Sequence, residues 1–99
     1  MIHVRDWERT EVVKILSTCL QNATVVVFGS RYKGNHKPYS DLDLAIMKAD
    51  KTILTLKEYG DLKEAFEESD LNFRVDLVDY WRVSQPFRAM IDRACEQIY

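Results

Sequence analysis

Between Asp6 and Asn22 the apolar residues Val12, Val13, Ile15, Leu16, Cys19 and Leu20 recur at helical spacing, with Glu11, Lys14, Thr18 and Gln21 on the opposite side. This pattern predicts an amphipathic helix. TVVVF, Thr24 to Phe28, is instead β-branched and apolar throughout, as in a strand buried on both faces of a helix-covered sheet. Leu42 to Met47 predicts a second strand, with Leu42, Leu44 and Ile46 on one face and Asp43 and Ala45 on the other. A second helix is clearest from Asp61 to Ser69, where Leu62, Ala65 and Phe66 form its stripe; Gly60 interrupts the pattern and leaves open whether the helix starts as early as Lys51. Phe73 to Val78 predicts a third strand, with Phe73, Val75 and Leu77 toward the core and Arg74, Asp76 and Val78 away from it. Ser84 is placed to cap a last helix with Pro86 in its first turn, and Phe87, Met90, Ile91, Ala94 and Ile98 would be its buried side. The order α-β-β-α-β-α over residues 1–99 predicts one α/β (α+β) domain, a small mixed sheet of at least three strands covered by helices on one face.

The connection between the first two strands is too long for a hairpin. Gly29 to Ser40 spans twelve residues where two to five would suffice, and long polar loops in small domains commonly carry function. It holds Arg31, Lys33 and Lys37 without an acid, whereas Asp61 to Asp70 holds five acids and one lysine. The net charge of −2 gives no global field for nucleic acid, so no direct nucleic-acid binding is expected. No run is long enough to span a membrane, and MIHVRDWERTE has no signal-peptide apolar region. Cys19 and Cys95 fall in apolar patterns far apart, as buried thiols of a cytoplasmic protein would.

Strand parity gathers the chemistry. Asp41 and Asp43 share a face of the second strand, Asp76 projects from the corresponding face of the third, and Asp79 has the wrong parity to join them. Three clustered carboxylates repel and raise their own pKa values unless a cation offsets them. Mg²⁺ suits such a set, completed by water and phosphate oxygens, and two ions about 4 Å apart is the arrangement used in phosphoryl chemistry. Gly29 at a strand end lets backbone approach a ligand, and Ser30 adds a hydroxyl and an N–H toward phosphate oxygens, with Arg31 and Lys33 supplying positive charge. A P-loop is excluded because Asn35-His36 stands where Lys-Ser/Thr is needed. A calcium loop is excluded by Ala45 and Lys48.

Gly29-Ser30, ten intervening residues, Asp41-Leu42-Asp43 and a later strand carboxylate in Val75-Asp76-Leu77 resemble the nucleotidyltransferase superfamily with a DNA polymerase β-like palm. Gly34, and Ser40 before Asp41, resemble its minimal prokaryotic branch, the MNT proteins. The resemblance implies that Asp41 and Asp43 bind two metal ions, Mg²⁺ or Mn²⁺, and that Asp76 binds the catalytic one and helps activate an acceptor hydroxyl. It implies that Gly29, Ser30 and Arg31, with Asp41 and Asp43, hold a nucleoside triphosphate, ATP by expectation. AMP would pass to the acceptor and pyrophosphate would leave. MNT proteins typically accompany a HEPN-domain RNase toxin and adenylylate it on tyrosine as its antitoxin, which makes a HEPN protein the expected partner. Two other readings stay open at this point: a non-catalytic subunit that neutralises a HEPN partner by complex formation, and a small-molecule, aminoglycoside-type nucleotidyltransferase. The second would need an acceptor-binding helical domain that these residues do not supply.

Overall fold

In the computed structural model, which describes residues 1–99, the first helix α1 runs from Asp6 to Cys19 and buries Val12, Ile15 and Leu16. The strand β1 (Ala23–Phe28) follows, then a single turn α2 (Ser30–Lys33), β2 (Leu42–Lys48), α3 (Leu56–Glu67), β3 (Val75–Asp79), α4 (Gln85–Arg93) and a short β4 (Cys95–Gln97). The four strands form one sheet in the order β3-β2-β1-β4, with β2 and β3 parallel and β1 antiparallel to both β2 and β4. Two elements exceed the sequence expectation, α2 inside the long loop and β4 at the end.

The helices start where their caps dictate. Thr55 Oγ1 accepts from the Glu58 N–H at 3.0 Å while Glu58 Oε1 accepts from the Thr55 N–H at 2.8 Å, a reciprocal cap that sets the start of α3. Gly60 is accommodated inside that helix, with open space around it. Ser84 caps α4 as the sequence predicts, with Pro86 in the first turn.

Residue alternation sorts the strands onto two cores. Val25, Val27, Leu42, Leu44 and Ile46 join Val12, Leu16, Leu62, Phe66 and Phe73 beneath α1 and α3. On the other face Val26, Phe28 and Ala45 pack with Tyr80 and Ile91, so α4 and the turn after β3 cover part of that side as well. Helices therefore lie on both faces, beyond the one-face cover expected. Complete burial of a Leu or Ile is worth about 1.5–3 kcal/mol, and Leu16, Leu42, Leu44, Ile46 and Leu62 are all fully buried. Ile91 alone of the α4 stripe is buried; Phe87 and Met90 are partly exposed, and Ile98 joins the first core through β4 instead. Tyr80 anchors α4 by donating its hydroxyl to Asp92 at 2.9 Å, and Trp81 Nε1 donates to the Lys48 carbonyl at 3.1 Å. Both aromatic residues belong to the edge of the second core.

Candidate active site

The two faces differ at one end of the sheet. Register places Asp43 of β2 opposite Phe28 of β1 on one side and opposite Asp76 of β3 on the other. All three point to the α4 face, so β2 and β3 bring the two predicted carboxylates side by side, with Asp41 just before β2 on the same face. Asp43 is half-buried, and Asp41 and Asp76 are exposed. Asp79 lies on the other face, where its Oδ2 accepts the Leu54 N–H at 2.7 Å, as its parity requires.

The electrostatics single out Asp43. Burial first, then the negative charges of Asp76 and Asp41 and a side-chain hydrogen bond with Asp76, push its pKa up to about 6. Every one of these causes favours the protonated form. A carboxylate held in this way makes a poor structural group, whereas an incoming cation would relieve it. Such clustering of perturbed groups in an open site is a mark of function.

Gly29 is part of the same arrangement. Its φ of 75° and ψ of −153° lie in a region open to glycine almost alone. A Cβ there would run into the Asp43 carboxylate, with Cγ only 3.1 Å away and Oδ2 nearer still. The missing side chain thus gives Asp43 its space and leaves bare backbone beside it. Ser30 begins α2, whose Lys33 and Gly34 N–H groups return to the Gly29 and Ser30 carbonyls at 3.0 and 2.8 Å. Gly34 closes the turn at φ 84°, and a Cβ on it would meet the His3 ring at 2.9 Å.

Arg31 is where the structure departs from the expected phosphate contact. Its guanidinium is turned inward and only 4% of the residue is exposed. Nε donates to the Ser40 carbonyl at 3.0 Å, Nη1 to His3 at 3.2 Å and Nη2 to Pro38 at 3.1 Å, and the group lies 4.2 Å from the centre of the Phe73 ring. An arginine so committed has little left for a phosphate. It pins the loop from Pro38 to Ser40 immediately ahead of Asp41, and so fixes where β2 begins. Sequence gave no sign of this, since an arginine in a polar loop reads as solvated or ligand-facing. Tyr39 is exposed, and the His36 ring in the loop lies 5.6 Å from the His3 ring, tilted by 38°.

A divalent cation fits the donor chemistry, which is all hard carboxylate oxygen. The carboxylates do not by themselves close into a three-ligand cage. Any ion held here must take further oxygens from water or a bound phosphate, which is the usual habit of Mg²⁺.

Residues 10–99 match the family model described as polymerase beta, nucleotidyltransferase. The chain belongs to that nucleotidyltransferase family. It is 43% identical over 90 residues, 91% of its length and 77% of the relative's, to "Probable protein adenylyltransferase MntA" of Haemophilus influenzae. Among solved structures, a toxin–antitoxin with AMP-PNP superposes with a TM-score of 0.76 at 24% identity, over 92% of this chain and 72% of that one. A second holds the tri-AMPylated Shewanella oneidensis HEPN toxin in complex with MNT antitoxin, with a TM-score of 0.71 at 21% identity over 97% of this chain and 72% of that one. These two likenesses establish the nucleotidyltransferase fold.

Proposed function

We propose that this chain transfers AMP from ATP to a hydroxyl, with a tyrosine of a HEPN-type toxin as the acceptor, and acts in that way as the toxin's antitoxin. The observation that carries the reading is the pairing of Asp43 with Asp76 across β2 and β3 beside an obligate glycine at residue 29. The 43% identity to a protein adenylyltransferase supports the reaction. The fold shared with an antitoxin bound to an AMPylated HEPN toxin supports the acceptor.

The chain's residues divide the work. Bare backbone at Gly29, with the Ser30 hydroxyl, receives the β- and γ-phosphates. Asp41 and Asp43 face the α-phosphate end, where their charge would otherwise repel it. Two Mg²⁺ or Mn²⁺ ions held by Asp41, Asp43 and Asp76 would neutralise the phosphates and acidify the attacking hydroxyl. Asp76, exposed beside Asp43, orients that hydroxyl and draws its proton. The acceptor oxygen bonds to the α-phosphorus, the bond from that phosphorus to the bridging oxygen breaks, and pyrophosphate leaves with the electron pair. No helix of the chain is long and apolar enough to cross a membrane, and both cysteines are free, which suits a reducing cytoplasm.

A stoichiometric inhibitor is the second reading. It is favoured by Leu56, 90% exposed, which with Tyr59 lines an apolar hollow of about 420 Å³, because exposed apolar clusters commonly dock partners. Changing Asp41→Asn together with Asp43→Asn separates the two. The variant should lose neutralisation of the toxin in growing cells while still co-purifying with it. Neutralisation at the wild-type level would establish the inhibitor.

A further inference from the structure

A hollow of about 630 Å³ beside the start of α1 has His3, Arg5, Glu8, Arg31 and His36 in its lining. No step of the transfer uses it, yet it is built around the guanidinium that holds the approach to Asp41. His3 is bound to Arg31 twice. Its N–H donates to the Arg31 carbonyl at 2.7 Å, and Arg31 Nη1 donates back to the His3 carbonyl at 3.2 Å. The His3 ring lies against Gly34 at the end of α2, so closely that no Cβ would fit there. The segment ahead of α1 therefore clasps the Ser30 turn, and Arg31 carries that hold on to Pro38 and Ser40.

His36 completes the arrangement from the loop. Its ring centre is 5.6 Å from that of His3, and its Nδ1 is buried with no hydrogen-bond partner. A phenyl ring would fill the same space without leaving a nitrogen unpaired, so packing alone gives no reason for a histidine. In imidazolium both nitrogens are donors, and a charged His36 would bury an N–H with no acceptor to receive it. The surroundings oppose that charge as well. Burial first, then the charges of Arg31 and His3, hold the His36 pKa below the ordinary histidine value. Of the other titratable groups on the hollow, Arg5 adds positive charge and Glu8 Oε1 is turned to the Arg5 N–H at 2.7 Å. Tyr39 and the Met1 amine also line it, the amine paired with Glu96 of β4 at 3.2 Å.

We propose that His3 and His36 are positioning residues for the transfer: uncharged, they keep Arg31 seated, and with it the Ser30 turn and the approach to Asp41; charged, they release both. This rests on the reading above of Ser30 and Asp41 as nucleotide-binding residues, and adds a pH-dependent control that neither residue carries itself. Folding favours the neutral ring, so the seated arrangement is intact above about pH 6.5 and is lost as pH falls below it. Ser30 and Asp41 hold the nucleotide before it reacts, so the loss is read in KM for ATP rather than in kcat.

The test takes the full chain from about pH 8 to about pH 5.5, across the histidine range, by ¹H–¹⁵N NMR and by AMP transfer. It compares the wild type with His36→Phe and His3→Phe, which keep a ring and cannot titrate. Asp43→Asn joins the NMR series because Asp43 titrates in the same range. In the wild type and in Asp43→Asn the Ser40 and Asp41 amide signals should move with the histidine ring signals, at a midpoint below about 6.5. That movement should vanish in His36→Phe, and its midpoint should rise in His3→Phe, where a neighbouring charge is removed. KM for ATP is taken relative to each protein's own value at the alkaline end, so the Asp43 titration, common to all, divides out. By the acid end it should rise about tenfold more in the wild type than in His36→Phe, as for a group carried one unit past its midpoint. Ser40 and Asp41 amides that stay still while both rings titrate, or matching KM profiles, would overturn this inference and leave the transferase standing. A wild type whose loop responds as described but that transfers no AMP at any pH would overturn the transferase reading and the role in transfer with it.

Discussion

Asp43→Asn is expected to give a protein that melts higher than the wild type and transfers no AMP. Its carboxylate is half-buried, faces Asp76 and Asp41, and has a pKa raised to about 6 with no favourable cause among those acting on it. A folded-state pKa above the unfolded value means that the protonated form is favoured by folding. The stability this group contributes is therefore present below about pH 4 and is lost as pH rises through about 6. At full strength the difference would amount to roughly 3 kcal/mol. Asp43 is half exposed, and solvent screening reduces that to about 1 kcal/mol, or roughly 4–8 °C for a domain of this size. The amide keeps the shape and drops the repulsion. Thermal unfolding of both proteins from pH 4 to 8 should show no gap at the acid end and a full gap above about pH 7. Transfer should fall by about 10³-fold or more, as for loss of a group aimed at transition-state charge. A variant that melts below the wild type at pH 7.5 would show that the Asp43 charge is structural after all. Added Mg²⁺ with ATP should narrow the gap by stabilising the wild type alone.

Gly29→Ala should fail in the opposite manner, losing both stability and activity. The backbone at φ 75°, ψ −153° costs a residue with a side chain about 1–3 kcal/mol, and the new methyl would meet the Asp43 carboxylate. Relief requires either β1 to unwind at its end or Asp43 to rotate away from Asp76. Either movement removes the pairing on which the chemistry depends. The melting point should drop by roughly 5–20 °C, and residual transfer in the folded fraction should be near zero. Wild-type turnover in this variant would remove Gly29 from the site.

The contrast between these two substitutions reflects which parts of the molecule could be read from its sequence. α1, β1 and β2 were legible because each buries a face whose periodicity is written locally. The carboxylate pair was legible for the same reason, since parity alone puts Asp43 and Asp76 on one face. β4 was not: Cys-Glu-Gln has no strand-like pattern, and its pairing with β1 joins residues about seventy positions apart. Ile98 was accordingly assigned to the last helix, whereas it reaches the first core from the strand beyond it. The turn α2 was hidden in a polar loop because its hydrogen bonds are too few to leave a periodic trace. Arg31 was misplaced because its acceptors are backbone carbonyls, which no residue type announces. That inward turn and the pairing of β4 with β1 are non-local, so neither could be read before the sheet was closed.

AMP transfer to a protein partner by the acid pair is addressed most directly by one measurement. The protein encoded by the neighbouring gene would be incubated with this chain, ATP and Mg²⁺, and its intact mass recorded. A gain of one or more AMP units, lost when Asp41→Asn and Asp43→Asn are combined, is the predicted result. An unmodified mass from two proteins that still elute as one complex would contradict it.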